Sequence, residues 1–278
     1  MRIPFTFSTV ISCCIIPCLA GCNRAQPQGE QARAVTFQRQ EDFHWPQGKR
    51  VAISLTFDDA RLSQIDRGIP ILDEYGLKAT FYVSIDSLKK RLEGWKKAVA
   101  AGHEIANHSL THPCSGNFPF ARQRALENYT LDKMRHELDQ ASSIIEQLLG
   151  VTPVSFAYPC GQKYVGRGRN LKSYVPLIAE KFLTGRGWLD EWANDPAFCD
   201  MPQLMGVKLD DKDFSQVKKV MDRTLANGGW LVFCGHEIGK DGRQTTRSPT
   251  LRALCEYARD PNKGVWLDTV RNIAAYIL

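Results

Sequence analysis

Short apolar runs alternate with longer segments of helical period over most of the chain, and this alternation constrains the fold more than any other feature. It predicts strands at 51–57, 79–84, 103–107, 154–158, 230–234 and 265–267. It predicts helices at 65–75, 88–101, 131–149, 174–182 and 214–226, with a final helix after residue 267. Such alternation forms βα units around a parallel sheet. The sequence therefore predicts an α/β fold in one domain, since a single α/β barrel typically uses about 250 residues.

The composition is that of a globular protein with a full-sized core. Of the 278 residues, 43% are hydrophobic and 24% are charged. The formal net charge of +6 is small and dispersed, and the densest basic stretch, at residues 89–97, lies on one amphipathic helical segment. These features do not support a nucleic-acid partner, and no obligate protein partner is inferred.

The first 22 residues have the pattern of an export signal. Arg2 is the only charge before Arg24, and residues 3–20 are almost entirely apolar or small. The segment Leu19-Ala20-Gly21-Cys22 resembles the lipobox of bacterial lipoproteins, in which the cysteine is lipidated and becomes the new N-terminus. An ordinary secretory peptide cut near Ala20 and a retained membrane helix are the alternatives.

This interpretation divides the chain into a signal peptide at 1–21, a lipidated Cys22 with a polar tether at 22–45, and a domain at 46–278. The protein would then be exported and held at the bacterial cell envelope by its lipid anchor. Asn23 stands where an Asp would retain a lipoprotein at the inner membrane of many diderm bacteria. The outer membrane is therefore the predicted location in such a host.

Five cysteines remain after residue 22, at positions 114, 160, 199, 234 and 255. Their spacing matches neither a disulfide-rich scaffold nor a CxxC zinc site. Cys114 and Cys160 both follow predicted strands, and neighbouring strand ends could bring them within disulfide reach in an oxidising compartment. Free or buried thiols are the alternative.

Chemically capable side chains follow four of the predicted strands, where the loops of parallel α/β folds build their sites. They are Asp58-Asp59, His108 with His112, the segment 158–161, and Gly235-His236. Taken singly, the two Asp residues could be turn formers or helix caps, and the histidines could be buried and hydrogen-bonded. Two histidines at i and i+4 could also reach one ion from a helical turn. The carboxylate pair, the two spaced histidines and His236, all at strand ends, together favour a metal or acid–base site.

Other catalytic motifs are missing from the sequence. His103-Glu104-Ile105-Ala106-Asn107 lacks the second His of a zinc-protease helix, and there is no G-x-S-x-G nucleophile elbow. Gly48-Lys49 precedes its strand instead of following it, as a P-loop would. A serine hydrolase and an NTPase are therefore unsupported.

The strand-end segments resemble the motifs of the carbohydrate esterase family 4 polysaccharide deacetylases, which share the NodB homology domain. Residues 56–59 (TFDD) are similar to the family's first motif and 107–112 (NHSLTH) to its second. Residues 156–161 (FAYPCG) are similar to the third motif and 231–236 (LVFCGH) to the fifth, while 186–190 (RGWLD) is a candidate for the fourth. The resemblance covers 51–236 and implies a distorted (β/α)7 TIM-like barrel.

The resemblance also implies a set of roles. Asp59, His108 and His112 would bind one divalent metal ion, zinc first, with cobalt or another divalent ion as the alternative. Asp58 would be the general base and His236 the general acid. Tyr158, Pro159, Cys160, Gly161 and Trp188 would form the oxyanion and substrate-binding part, with a backbone amide at Cys160.

Two departures from the family pattern bear on this interpretation. Many members carry an Arg that holds the base Asp at the start of the third motif, where this chain has Ala157. Cys160 and Cys234 replace the Tyr expected in the third motif and the Leu expected in the fifth.

The sequence thus predicts a metal-dependent hydrolase that removes N-acetyl groups from an acetylated amino-sugar polysaccharide. An esterase acting on O-acetyl groups of a polysaccharide such as acetylated xylan is one alternative. A non-catalytic glycan-binding lipoprotein is the other, although a pure binder has no use for both Asp58 and His236.

Overall fold

The computed structural model describes residues 43–278. Its centre is a sheet of eight strands in which every paired neighbour is parallel. These strands are β1 (Val51–Asp58), β2 (Thr80–Val83), β3 (Glu104–Asn107), β4 (Ser155–Ala157), β7 (Thr184–Arg186), β8 (Val207–Lys208), β9 (Trp230–Gly235) and β12 (Val265–Leu267).

Four short strands form two small sheets outside the barrel. Strands β5 (Tyr164–Val165) and β6 (Lys172–Ser173) form an antiparallel pair, and β10 (Glu237–Gly239) pairs with β11 (Thr245–Arg247). Both small sheets follow strands of the central sheet, so they lie in connections at its C-terminal edge.

The central strands run in the order β7-β4-β3-β2-β1-β9-β8, and β12 pairs with the first half of β1. Isolated bridges from Arg186 to Leu204 and from Asp190 to Val207 link the two ends of this order. The predicted distorted parallel α/β barrel in one domain is confirmed, with β12 as an eighth strand.

The described residues form eight α-helices: α1 (Ile69–Glu74), α2 (Ile85–Lys89), α3 (Leu92–Ala100), α4 (Leu131–Leu149), α5 (Val175–Lys181), α6 (Phe214–Asn227), α7 (Ser248–Arg259) and α8 (Val270–Ile277). A π-helical turn at Gln64–Gly68 precedes α1. The helix α4 has the bounds predicted from its pattern, because the Thr130 hydroxyl caps its start and Gly150 ends it in a left-handed conformation.

The side chains of strand β1 alternate between the hydrophobic core and the barrel interior. All eight of its residues are buried, as expected for a central parallel strand covered on both faces. Ile53, Leu55 and Phe57 join the largest hydrophobic cluster, which includes residues of α3, α6 and α7. Thr56 and Asp58 alternate with them and therefore face the barrel interior. The strand thus places Asp58 at the C-terminal end of the barrel, which we call the barrel mouth.

Not all elements were predicted, and those missed include the short strands β5, β6, β10 and β11. Strands β7 and β8 have three and two residues, which is too short for a periodic pattern, and helix α7 went unassigned. The connection 108–112, considered as a possible helical turn, is not helical.

The predicted signal peptide, the lipidated Cys22 and most of the tether at 22–45 lie outside the described residues. Within residues 43–278, no helix is both long and apolar enough to cross a membrane. Phe43 and Trp45 pack on each other and on Tyr276, and the Trp45 indole donates to the Gly228 carbonyl at 2.8 Å. The last residues of the predicted tether therefore contact the domain.

Candidate active site

Three potential metal ligands meet at the barrel mouth. Their donor atoms, one each from Asp59, His108 and His112, all lie within 4.8 Å of one another. The Asp59 Oδ1 atom is 3.7 Å from His108 Nε2 and 3.6 Å from His112 Nε2. The Nδ1 atom of His108 lies 2.9 Å from the Ala157 carbonyl oxygen, so that carbonyl fixes the tautomer that leaves Nε2 as the acceptor.

Asp59 is held in one orientation by residues outside the predicted motifs. Arg61 donates from Nη2 to Asp59 Oδ2 at 3.0 Å, which leaves Oδ1 facing the two imidazoles. Burial alone would raise the pKa of Asp59, but His108, His112 and Arg61 outweigh it and lower this pKa to about 2. The carboxylate is therefore ionised at neutral pH.

The loop that carries the two histidines is shaped by side-chain hydrogen bonds instead of helical ones. The Asn107 side chain accepts from the Ser109 amide at 2.7 Å and donates to the Leu138 carbonyl at 3.0 Å. Ser109 and His112 have positive φ values of 64° and 53°, which exclude a right-handed helical turn. The prediction that His108 and His112 share one turn of helix was therefore wrong, although both rings do reach one point.

Glu137 of α4 holds the outer part of this loop. It is buried, and it accepts hydrogen bonds from the Thr111 amide and hydroxyl, both at 2.8 Å, and from the Tyr129 hydroxyl at 2.9 Å. These bonds fix the residue that immediately precedes His112. Strained backbone of this kind persists where the surroundings hold it in place.

The three ligands fit a divalent cation. Two ligands about 2.1 Å from a tetrahedral ion lie about 3.4 Å apart, close to the spacings seen here. A metal ligand must be deprotonated, and burial together with the nearby His108 lowers the pKa of His112 to about 4. The set of two imidazoles and one carboxylate leaves a coordination position open.

A second donor group, His112 with Cys114 and Cys160, is also compact, but its two sulfurs are bonded to each other. The Cα atoms of Cys114 and Cys160 are 6.0 Å apart. Of the two possibilities that the sequence left open for these cysteines, the disulfide is the one present. It ties the histidine-bearing loop to the turn after β4, with the Cys114 sulfur 3.7 Å from His112 Nδ1.

Asp58 lies beside this cluster, with 4% of its surface exposed. The fully buried Arg186 of β7 donates from Nη2 to Asp58 Oδ1 and from Nη1 to the Gly187 carbonyl. Burial opposes the ionisation of Asp58, but Arg186, His108 and His236 outweigh it and lower its pKa. In the parallel pairing of β4 and β7, Arg186 is the register partner of Ala157. The guanidinium that the sequence lacks at position 157 thus comes from the adjacent strand.

His236, at the end of β9, has a carboxylate partner of its own. Its Nδ1 atom is 2.7 Å from Asp210 Oδ2, and Asp210 Oδ1 accepts from the His236 amide and the Thr246 hydroxyl. Burial would lower the pKa of His236, but the hydrogen bond to Asp210 and the charge of Asp58 raise it above its usual value. Trp188 packs edge-on against the imidazole with ring centroids 4.9 Å apart.

Gln64 couples the two strand ends that carry Asp58 and His236. It is fully buried, and its Nε2 atom donates to the Asp58 carbonyl at 2.6 Å and to the His236 carbonyl at 2.9 Å. This bridge fixes the backbone of β1 relative to that of β9 where both leave the barrel.

The predicted substrate-binding residues separate into two groups. Tyr158 and Pro159 are buried, Tyr158 belongs to a core cluster, and its hydroxyl donates to the Pro202 carbonyl. Neither side chain is exposed at the barrel mouth, and a substrate contact by this segment stays a prediction. Cys160, Gly161 and Trp188 lie at the mouth, and a Cβ at Gly161, which has φ +69°, would meet the Trp188 backbone at 3.2 Å.

Arg61, Gln64, Arg186 and Asp210 were missed by the sequence reasoning. Arg186 lies in the candidate fourth motif but was given no role, and Asp190 of that segment binds the Gly206 amide at 2.8 Å instead of His236. A signal for Asp210 was available, because Asp210 follows the alternating segment Val207-Lys208-Leu209 as another strand-end carboxylate.

Comparison with known proteins matches residues 46–173 to the family described as polysaccharide deacetylase. The uncharacterized protein YlxY of Bacillus subtilis (strain 168) is 32% identical over 117 residues, which are 42% of this chain and 31% of that protein. The peptidoglycan-N-acetylglucosamine deacetylase of Bacillus cereus is 26% identical over 121 residues, which are 43% of this chain and 40% of that protein. The matched segments thus span less than half of these relatives.

The fold is similar to that of a family 4 acetyl xylan esterase from Clostridium thermocellum, solved in complex with a cobalt ion. The TM-score is 0.54 at 17% identity, over 81% of this chain and 91% of that chain. This likeness concerns the fold, whereas the family match covers the segment that carries Asp58, Asp59, His108 and His112. Residues 46–173 of the chain thus match the polysaccharide deacetylase family.

Proposed function

We propose that the protein is a metal-dependent hydrolase that removes N-acetyl groups from an amino-sugar polysaccharide. The observation that carries this proposal is the pairing at the barrel mouth. Asp58 is held by a buried arginine and His236 by a buried carboxylate, and both interact with the cluster of Asp59, His108 and His112. Such an arrangement separates a base from an acid, as hydrolysis of an amide requires.

Asp58 serves as the general base in this proposal. Arg186 occupies Oδ1, so Oδ2 is the oxygen that takes a proton from the attacking water. The lowered pKa of Asp58 keeps the carboxylate in its basic form at neutral pH.

His236 serves as the general acid. Asp210 occupies Nδ1, so Nε2 is the atom that delivers a proton to the departing nitrogen. An amine leaves poorly unless it is protonated, and the raised pKa of His236 favours the protonated imidazole. The backbone amide of Cys160 is the proposed donor to the oxyanion.

Asp59, His108 and His112 are the proposed ligands of one divalent ion, with zinc as the first candidate. The related esterase structure contains a cobalt ion, which supports a divalent metal in this fold. A bound divalent ion would polarise the acetyl carbonyl and acidify a water molecule. The chain's own contribution is to orient the three ligands toward one point.

The test is acetate release by the purified protein from a panel of polymers: chitin oligomers, poly-N-acetylglucosamine, peptidoglycan and acetylated xylan. We expect acetate from at least one N-acetylated polymer, with one free amine formed for each acetate. If acetate were released from acetylated xylan alone, the proposed activity would be that of an O-acetyl esterase instead of an amidase. No acetate from any polymer, with metal bound, would favour a glycan-binding protein.

We also propose that the chain is exported and lipid-anchored through Cys22, with the outer membrane as its location in a diderm host. The lipobox-like segment before Cys22 supports this proposal. A Cys22→Ser variant should lose radiolabelled palmitate and leave the membrane fraction or remain as an uncleaved precursor. Unchanged labelling and fractionation would contradict it.

A further inference from the structure

Two loops beside the barrel mouth carry most of the net charge of the chain. Residues 113–129 follow β3, and residues 161–173, which include the β5–β6 hairpin, follow β4. Together they hold six arginines and lysines against one carboxylate, Glu127, which gives a net charge of +5 where the whole chain has +6. We call the six cations, with the exposed residues between them, the basic surface. The cations are Arg122, Arg124, Lys163, Arg167, Arg169 and Lys172.

The two loops are neighbours in the structure, although their cations are scattered along the sequence. The Ser115 amide donates to Gln162 Oε1 at 2.6 Å, and the Gly166 amide donates to the Leu126 carbonyl at 3.0 Å. The disulfide described above joins the same two loops. Folding therefore gathers the charge on one side of the domain and fixes the loops to each other.

The charge of the basic surface is not neutralised by the domain. Within residues 43–278, none of the six cations forms an ion pair with a carboxylate. Glu127 itself accepts from the Ser115 hydroxyl and the Gly116 amide. Several cations on the outer helices, by contrast, do pair with carboxylates: Arg135, Lys181, Lys218 and Arg252.

Large apolar side chains are exposed among these cations. Phe118 is 41% exposed and Phe120 is 55% exposed, and their ring centroids lie 5.5 Å apart. On the hairpin, Leu171 is 51% exposed. Single exposed apolar residues are common on protein surfaces, but a group of them rimmed by polar residues marks an interaction site.

Both parts of the basic surface are loop tips. Residues 117–120 and residues 167–172 are unbroken runs of exposed residues. Such tips project from the domain instead of forming the walls of a cleft. Soluble polyanionic chains are bound mainly in grooves that follow the chain, whereas projecting tips fit a flat partner.

A bilayer that contains anionic lipids offers both complementary features on one flat surface. Its headgroups attract lysine and arginine side chains, and each such residue near the surface strengthens binding roughly fivefold. Aromatic side chains favour the boundary between the headgroups and the acyl chains. The exposed phenylalanines and the unpaired cations of the basic surface match these two layers.

We propose that the basic surface docks the folded domain on an anionic lipid bilayer, with Phe118 and Phe120 at the acyl boundary and the cations at the lipid phosphates. This contact is separate from any anchor at Cys22, and it does not depend on the proposed function. Because both loops lie beside the barrel mouth, docking holds the candidate active site close to the lipid surface.

Amide hydrogen exchange of the full chain tests the proposal, because it locates the contact even if the N-terminal segment also holds the chain to the lipid. The chain is measured alone, with vesicles of phosphatidylcholine, and with vesicles of equal parts phosphatidylcholine and phosphatidylglycerol. Exchange in residues 117–124 and 166–172 should slow only with the anionic vesicles. High salt should remove most of this protection.

The lipid concentration that gives half of the protection measures the affinity. Arg169→Ala/Lys172→Ala should raise this concentration roughly 30-fold, because two cations are lost. Neither side chain has a hydrogen-bond partner within residues 43–278, so the fold is kept. Lys219→Ala/Arg259→Ala is the matched control, because it removes two exposed cations from α6 and α7, and it should leave the concentration unchanged.

Phe118→Ser/Phe120→Ser tests the apolar part of the contact and should also raise the half-protection concentration, roughly tenfold. The inference is overturned if neutral and anionic vesicles protect the two loops equally, if neither protects them, or if the two charge variants have equal effects. Equal protection by soluble dextran sulfate without lipid would assign the surface to a soluble polyanion instead. Protection that grows with protein concentration in the absence of vesicles would assign it to a second copy of the chain.

Discussion

The ion pair between Arg186 and Asp58 gives the sharpest prediction about stability and activity together. Arg186→Met keeps much of the side-chain volume but removes the only cation that hydrogen-bonds Asp58 within the described residues. Asp58 is then an unpaired carboxylate with 4% of its surface exposed. Removing one partner of a buried pair typically costs about 3–5 kcal/mol. This loss is a large part of the 5–15 kcal/mol that stabilises a typical domain.

The assay is urea unfolding at pH 7, combined with a double-mutant cycle. Arg186→Met should lower the free energy of unfolding by about 3–5 kcal/mol. Asp58→Asn/Arg186→Met should be less destabilised than the sum of the two single variants, by at least about 1 kcal/mol, because neither charge is left buried alone. Arg135→Ala is the control, because the Arg135–Glu180 pair is exposed and should contribute less than about 1 kcal/mol.

The sign of the pH dependence follows from the lowered pKa of Asp58. A carboxylate with a lowered pKa stabilises the fold above its ordinary value of 3.8 and loses that contribution as the pH falls through its folded value. The difference between wild type and Arg186→Met should therefore be complete at pH 7 and shrink at acid pH.

Activity provides an independent readout of the same pair. Without Arg186, the buried Asp58 favours its protonated form, so kcat should fall at least about 100-fold while the bound metal stays at the wild-type level. Since Ala157 is the register partner of Arg186, Ala157→Arg/Arg186→Met should recover part of the lost kcat. A variant Arg186→Met that unfolds within 1 kcal/mol of the wild type and keeps its kcat would refute the reasoning.

Three further predictions concern the groups around the site. Replacing both Cys114 and Cys160 by Ser removes a disulfide that spans 46 residues, and it should lower the free energy of unfolding in urea by up to about 4 kcal/mol. An unchanged free energy of unfolding after replacement or after reduction would contradict a formed bond. Asp210→Asn removes a hydrogen bond that raises the pKa of His236, so the fall in kcat at alkaline pH should begin at a lower pH than in the wild type. If the alkaline side of the pH profile of kcat did not shift, His236 would not be the acid. Glu137→Ala removes the hydrogen bonds that hold the loop carrying His112, and it should weaken zinc binding about 10- to 100-fold in a competitive chelator titration. An unchanged zinc affinity would show that the loop keeps its shape without Glu137.

The sequence predicted the elements that have a long periodic pattern and the site residues that follow predicted strands. Strand β1 is a long buried run, and α4 has a clear cap at each end, so both were predicted closely. The C-terminal ends of parallel strands meet at the same edge, and by this rule the Asp pair and the histidines were expected to lie close together. The choice of Asp59, His108 and His112 as the ligands came from the resemblance to the deacetylase family. The same rule brought Cys114 near Cys160.

The partners of the site residues were not predictable in the same way. Arg186 and Asp210 belong to strands of three and two residues or follow them, and such strands are too short to leave a periodic pattern. Their contacts depend on which strands become neighbours and in which register, which local sequence does not encode. The loop 108–112 departs from a helix because Asn107 and Glu137 bind its backbone, and Glu137 lies 25 residues further along the chain than His112.

Metal-dependent catalysis by Asp58 is the central claim, and one titration tests it most directly. The initial rate of acetate release from an N-acetylglucosamine oligomer is measured against zinc added to the metal-free protein, while bound zinc is counted on the same samples. The rate should rise linearly and saturate at one ion per chain. Asp58→Asn should bind the same single ion and release at least about 100-fold less acetate. Full activity without bound metal, or normal turnover by zinc-loaded Asp58→Asn, would contradict the account.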